Sequence, residues 1–96
     1  MQPPQKDYTL SRIQDDRLLE IFEGRSCATL PADVSATAYR LTRLLLAARS
    51  WGDVDVFTQV AEWPPDGYVA PVLGKWFIRF RWIPSFGADG LELVRL

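Results

Sequence analysis

Between Pro31 and Arg49 the apolar residues recur at intervals of three and four, and that spacing predicts the one long element the rest of the chain must pack against. Val34, Ala38, Leu41, Leu45 and Ala48 form the stripe and Leu44 widens it, while Ser35, Arg40, Thr42, Arg43 and Arg49 fall largely elsewhere. Pro31 suits the first helical position, and Asp33 puts a negative charge near the positive end of the helix dipole. A chain of 96 residues with 48% hydrophobic content closes a single core around such a helix.

On either side the pattern changes period. Residues 1–7, with paired prolines and little hydrophobicity, predict a flexible N-terminal arm, and residues 8–96 a single domain. Tyr8 to Ile13 fits a short strand. Asp15 and Asp16 stand where an N-cap and first-turn acid belong, before the apolar Leu18, Leu19, Ile21 and Phe22, and Gly24 closes this short helix. Trp51-Gly52-Asp53 predicts a turn into an extended stretch, Val54 to Trp63. Pro64-Pro65-Asp66-Gly67 marks a hairpin connection. Tyr68–Leu73, Lys75–Ile83 and Leu91–Leu96 read as strands, with Pro71 arguing for an edge or a bulge. The expected class is α+β: an N-terminal strand and two helices packed on a three- to four-stranded, mainly antiparallel sheet.

Composition narrows the function classes. Eleven basic residues, nine of them Arg, face twelve acidic ones, giving a net charge of −1 and no global field to draw in polyanions. The lone Cys27 forms no internal disulfide, and with no His in the chain a Cys–His nucleophile pair is excluded. No apolar run approaches a membrane span, so the expectation is a cytoplasmic protein without a membrane partner. Neither cofactor nor metal is expected. Asp15-Asp16 and Asp53/Asp55 read as cap and turn acids rather than ligands.

Several stretches match a known family. Phe22-Glu23-Gly24, Leu30-Pro31-Ala32-Asp33, Ala47-Ala48-Arg49-Ser50-Trp51-Gly52-Asp53-Val54, and Tyr68 followed by Gly74-Lys75-Trp76-Phe77-Ile78-Arg79-Phe80-Arg81-Trp82 resemble the HigB-type plasmid-maintenance killer toxins of the RelE/ParE superfamily. The closing Ala88-Asp89-Gly90-Leu91-Glu92-Leu93-Val94 resembles the family's final strand, so the likeness spans Ile13 to Val94 in order. The resemblance implies a RelE-like fold, an antitoxin as partner, and ribosome-dependent cleavage of messenger RNA as the family activity. The positions implied to carry that chemistry are altered. Pro71 and Phe77 stand where the family has Arg, Arg95-Leu96 replaces a terminal Asp-Tyr-His, and Phe57 to Pro65 holds neither His nor Lys.

Two basic residues remain. With Ile78, Phe80 and Trp82 facing the core, alternation puts Phe77, Arg79 and Arg81 on the opposite face, Arg79 being displaced by roughly 6 to 7 Å from the family's Arg position. Together with Lys75, Tyr68 and Arg95, which the resemblance implies to lie near the site, Arg79, Arg81 and Phe77 form the candidate binding face. Its alternatives are a relocated phosphate or carboxylate clamp, and an ordinary solvated face with Arg79 or Arg81 paired to Glu92. Trp51, Trp63 and Phe86, with Arg40 and Arg43 on the long helix, are candidate partner anchors or lids over the core. The sequence favours a toxin-like protein that binds a macromolecule. Open beside it stand a ribosome-dependent endonuclease using the relocated Arg residues and an inhibitor of a host protein complex of the kind carried by phages or mobile elements.

Overall fold

The computed structural model describes residues 11–25 and 28–96. The expected arm, residues 8–10 of the expected first strand, and Cys27 lie outside them. Among the described residues three helices, α1 (Asp16–Phe22), α2 (Ala32–Ala47) and α3 (Trp51–Phe57), precede four strands, β1 (Ala61–Trp63), β2 (Gly67–Leu73), β3 (Trp76–Ile83) and β4 (Gly87–Arg95). The strands form one sheet in the order β1-β2-β3-β4, every neighbour antiparallel. The α+β class is as expected.

The long helix forms as its stripe predicts, burying Val34, Ala38, Leu41 and Leu45 against β2 and β4. Two details differ. Pro31 is the N-cap rather than the first helical residue, because its ψ of 147° keeps it extended while its carbonyl accepts from Ser35 N–H. Thr42 lies within the buried face, fully enclosed, with its hydroxyl unpartnered. Sheet residues Ile78, Phe80, Leu91 and Leu93 meet Leu18 of α1 and Leu45 of α2 at 2% exposure or less. Each such side chain contributes about 1.5–3 kcal/mol by leaving water.

The expected extended stretch Val54–Trp63 is instead helix α3 followed by three residues of strand. Ser50 and Asp53 form a reciprocal capping box: the Ser50 hydroxyl accepts from Asp53 N–H, while the Asp53 carboxylate accepts from Ser50 N–H and from Arg49 N–H. Read as a turn signal, Gly52-Asp53 is thus the first turn of a helix. Val54 falls into the core at 3% exposure, and Trp51 joins Tyr68, Phe80 and Trp82 in a cluster of rings. Tertiary burial selects helix here over the extended form that local composition suggests.

The last strand also begins earlier than expected, at Gly87 rather than Leu91. A tight turn, with Ser85 at φ 68°, shortens the connection from β3, and the register shifts once between Arg79 and Arg81. Gly90 sits at φ 64°, where a Cβ would also come within 3.2 Å of Gln14 Oε1. On β2, Pro71 lies past the end of β1, where the missing N–H costs no pairing, and the register shifts between it and Leu73.

The outer edge of β4 is closed by the segment entering α1. Ile13 bridges Leu91 in parallel, with Leu91 N–H donating to Arg12 O and Gln14 N–H to Leu91 O, both at 2.8 Å. Beyond this single bridge, side chains continue the pairing. Leu93 N–H donates to Asp15 Oδ2 at 3.1 Å and Arg17 Nη2 donates to Leu93 O at 3.0 Å. Arg12 Nε donates to Ala88 O at 2.7 Å, and its Nη1 to Leu46 O at the end of α2. Burial pushes the Arg12 guanidinium below its ordinary pKa, and Asp89 opposes that shift.

Asp15 also caps α1, its Oδ1 accepting from Arg17 N–H at 2.8 Å and Leu18 N–H at 3.3 Å. Asp15→Asn keeps the capping oxygen but turns a donor toward Leu93 N–H, so we expect a loss of about 1 kcal/mol, against about 2 kcal/mol for Asp15→Ala, in urea unfolding. An unchanged stability in Asp15→Asn would mean that the bond to β4 contributes nothing, and equal losses in the two variants that the cap contributes nothing. Backbone hydrogen bonds from Arg49 and Ser50 hold the Asp53 carboxyl below its usual range. Its stabilising effect is therefore present above the ordinary carboxylate pKa and lost as pH falls through the lowered folded value. Asp53→Asn should flatten that acid limb when stability is followed by circular dichroism against pH.

Candidate functional site

Strand alternation gives the sheet two faces, and the one turned from the core carries most of the residues of interest. Opposed pairs Pro71–Phe77 and Phe77–Val94 form its apolar half, with Val69 opposite Arg79. Val69 is 5% exposed yet stands outside the core cluster, screened by its neighbours on this outer face. A shallow groove between Val60, Ala61, Val69, Pro71 and Phe77 continues the apolar half toward β1.

The other half is ionic. Arg79 opposes Glu92 and pairs with it at 3.4 Å; Arg81 opposes Asp89 and pairs with it at 3.0 Å. Gln14, Asp66, Arg79, Arg81, Gly90 and Glu92 line a recess of about 270 Å³. With Asp89, three carboxylates stand against two guanidinium groups, a local sum of −1. Both ion pairs are exposed enough to be worth only about 0.2–1 kcal/mol each, so their main effect is to neutralise charge rather than to hold the fold. A phosphate entering here would displace or oppose a carboxylate at either arginine.

The expected binding face separates into three parts. Phe77, Arg79 and Arg81 share the outer face, as alternation predicts. Tyr68 lies on the other face, opposite Phe80 and 5.9 Å from its ring, with Trp51 at 4.6 Å. Arg95 follows the parity of Leu91 and Leu93, and its guanidinium lies 6.0 Å from the Trp76 ring, which Arg17 also approaches at 5.6 Å. Lys75 is exposed in the β2–β3 turn, where its carbonyl accepts from Leu96 N–H.

The expected anchors also divide. Trp51 is a core lid, half-buried in the ring cluster, and Trp63 is half-buried at the end of β1 opposite Gly67. Phe86 is 53% exposed under the Arg12 guanidinium, 4.9 Å from its centroid. Arg40 and Arg43 are exposed on α2, the latter donating to Tyr39 Oη at 3.1 Å. Sequence reasoning placed Asp15 at the helix cap but missed its bond to Leu93 N–H, the structural role of Arg12 and the pairing of Asp89 with Arg81. Once β4 is extended back to Gly87, Asp89 falls opposite Arg81, which is the signal that would have found that pair.

No protein-family model, curated protein or solved structure matches the chain. No helix among the described residues is long and apolar enough to cross a membrane. Among the described residues, no group of three or more His, Cys, Asp or Glu side chains is arranged to hold a metal ion. The chain is an α+β domain whose free sheet face is half apolar and half ion-paired.

Neutralisation has a measurable consequence. Replacing both carboxylates, as Glu92→Gln with Asp89→Asn, changes the local sum from −1 to +1. The double variant should bind single-stranded RNA several-fold more tightly than the parent at low salt in a filter-binding assay, the gain shrinking as salt rises. Unchanged affinity would show that these carboxylates do not mask the arginines.

Proposed function

We propose that the chain is a toxin-like protein on a RelE/HigB-type fold, a member of a type II toxin–antitoxin pair, acting by macromolecular binding rather than by cutting messenger RNA. The observation that carries this reading is the pairing of Arg79 with Glu92 and of Arg81 with Asp89 on the face that holds Pro71 and Phe77. Cleavage of RNA by its own 2′-hydroxyl needs a base to take that proton, an acid to protonate the leaving oxygen, and net positive charge at the phosphate. None of the three is assembled here: the arginines are compensated, Tyr68 is turned to the core side, and the chain has no imidazole.

Binding makes fewer demands. Phe77, Val94 and Pro71 supply an apolar centre over the buried Val69, and the neighbouring ion pairs supply polar groups beside it, the arrangement a protein partner recognises. The sequence likeness adds the expectation of an antitoxin as one such partner. Inhibition of a host protein complex uses the same surface.

Induction in a bacterial host is expected to slow growth while transcripts mapped by 5′-end sequencing stay intact. Phe77→Glu should relieve the arrest without changing the circular dichroism spectrum, because its side chain lies outside the core. Codon-linked cuts that disappear in the Arg79→Ala, Arg81→Ala double variant would overturn the proposal in favour of an endonuclease.

A further inference from the structure

The opposite face of the sheet carries a second recess, which shares only Asp66 with the recess of the outer face. Antiparallel pairing places Glu62 opposite Tyr68 and Tyr68 opposite Phe80, so the three share one face, and Trp82 follows Phe80 on that face two residues along β3. Beyond the cover of α3 this row opens into a recess of about 400 Å³ lined by Glu62, Pro64, Pro65, Asp66, Tyr68 and Trp82. Its aromatic wall is held from behind: the Trp51 ring lies 4.6 Å from Tyr68 and 5.4 Å, edge-on, from Trp82. Rings fixed by other rings lose little freedom when a ligand arrives.

The polar lining is of one sign. Glu62 and Asp66 are both exposed and neither takes part in an ion pair among the described residues, unlike Glu92 and Asp89 on the other face. No Lys or Arg lines the recess; Arg79 and Arg81, which line the outer recess together with Asp66, carry their own carboxylates. Two uncompensated carboxylates beside two aromatic rings match a cation that is planar and has donors along its edge.

We propose that Glu62, Asp66, Tyr68 and Trp82 form a receptor site for the guanidinium group of an arginine in a basic peptide segment. The carboxylates accept its N–H groups and the rings cover its weakly hydrated plane. This site does not depend on the toxin-like reading, and it stands or falls by direct binding.

The test titrates the full chain with an acetylated Gly-Arg-Gly amide while the Trp82 indole N–H and the Gly67 and Tyr68 amides are followed by NMR. Saturable shifts confined to these signals are expected, with the isosteric citrulline peptide giving none. Glu62→Gln and Asp66→Asn, both at exposed positions, should each weaken binding about threefold. The outer-face substitution Phe77→Glu should leave it unchanged, which separates this site from the surface invoked above. Equal binding of the citrulline peptide, or binding unaltered in the Glu62→Gln, Asp66→Asn double variant, would overturn the site. Spermidine binding as tightly as the arginine peptide would overturn the assignment to a peptide guanidinium.

Discussion

The closure of the β4 edge by residues 12–17 is the constraint on which the other features rest. An unpaired edge nine residues long would expose backbone donors and acceptors to any passing strand. Here one backbone bridge at Leu91 is extended on both sides by side chains, Arg12 taking Ala88 O and Asp15 with Arg17 taking the two polar groups of Leu93. The same Asp15 caps α1, so the helix start and the strand register are set by a single carboxylate. Arg12 adds the third tie, since its bond to Leu46 O brings the end of α2 to the same edge.

This closure determines what the outer face displays. With β4 held in register, Glu92 and Asp89 fall opposite Arg79 and Arg81, and the shift at Gly90 keeps both carboxylates on the arginine side despite the irregularity. Had β4 begun at Leu91, Arg81 would have no such partner. Compensation of the arginines is thus a product of strand length and register rather than of residue choice alone. It leaves a face with two guanidinium groups whose charges are matched by carboxylates on the neighbouring strand.

The legible parts of the fold were those with a long period or a strong stop signal. The α2 stripe, the Asp15 cap, the Pro64–Gly67 turn and the alternation of Phe77 to Trp82 all state their outcome locally, and each forms as its pattern predicts. Helix α3 was not legible as a helix because Gly52 and two β-branched residues, Val54 and Val56, weaken its propensity, while its decisive contacts are Val54 in the core and Trp51 on Tyr68. The Ser50–Asp53 spacing was the one local sign. Tyr68 was misplaced for a related reason. Its neighbours in sequence alternate correctly, but only the register with Phe80 says which face it takes, and register is a non-local quantity.

The sheet therefore divides its chemistry by face. Aromatic residues concentrate on the helix side, where Trp51, Tyr68, Phe80 and Trp82 serve packing first and project past α3 only at one end. The ion pairs of β3 with β4 lie on the outer side, while Glu62, unpaired among the described residues, lies at the open end of the aromatic row. Asp66, in the turn between β1 and β2, is the group that lines both recesses. Its position makes the β1–β2 turn the place where a ligand on one face would be felt electrostatically on the other, through the carboxylate that Arg79 and Arg81 also face.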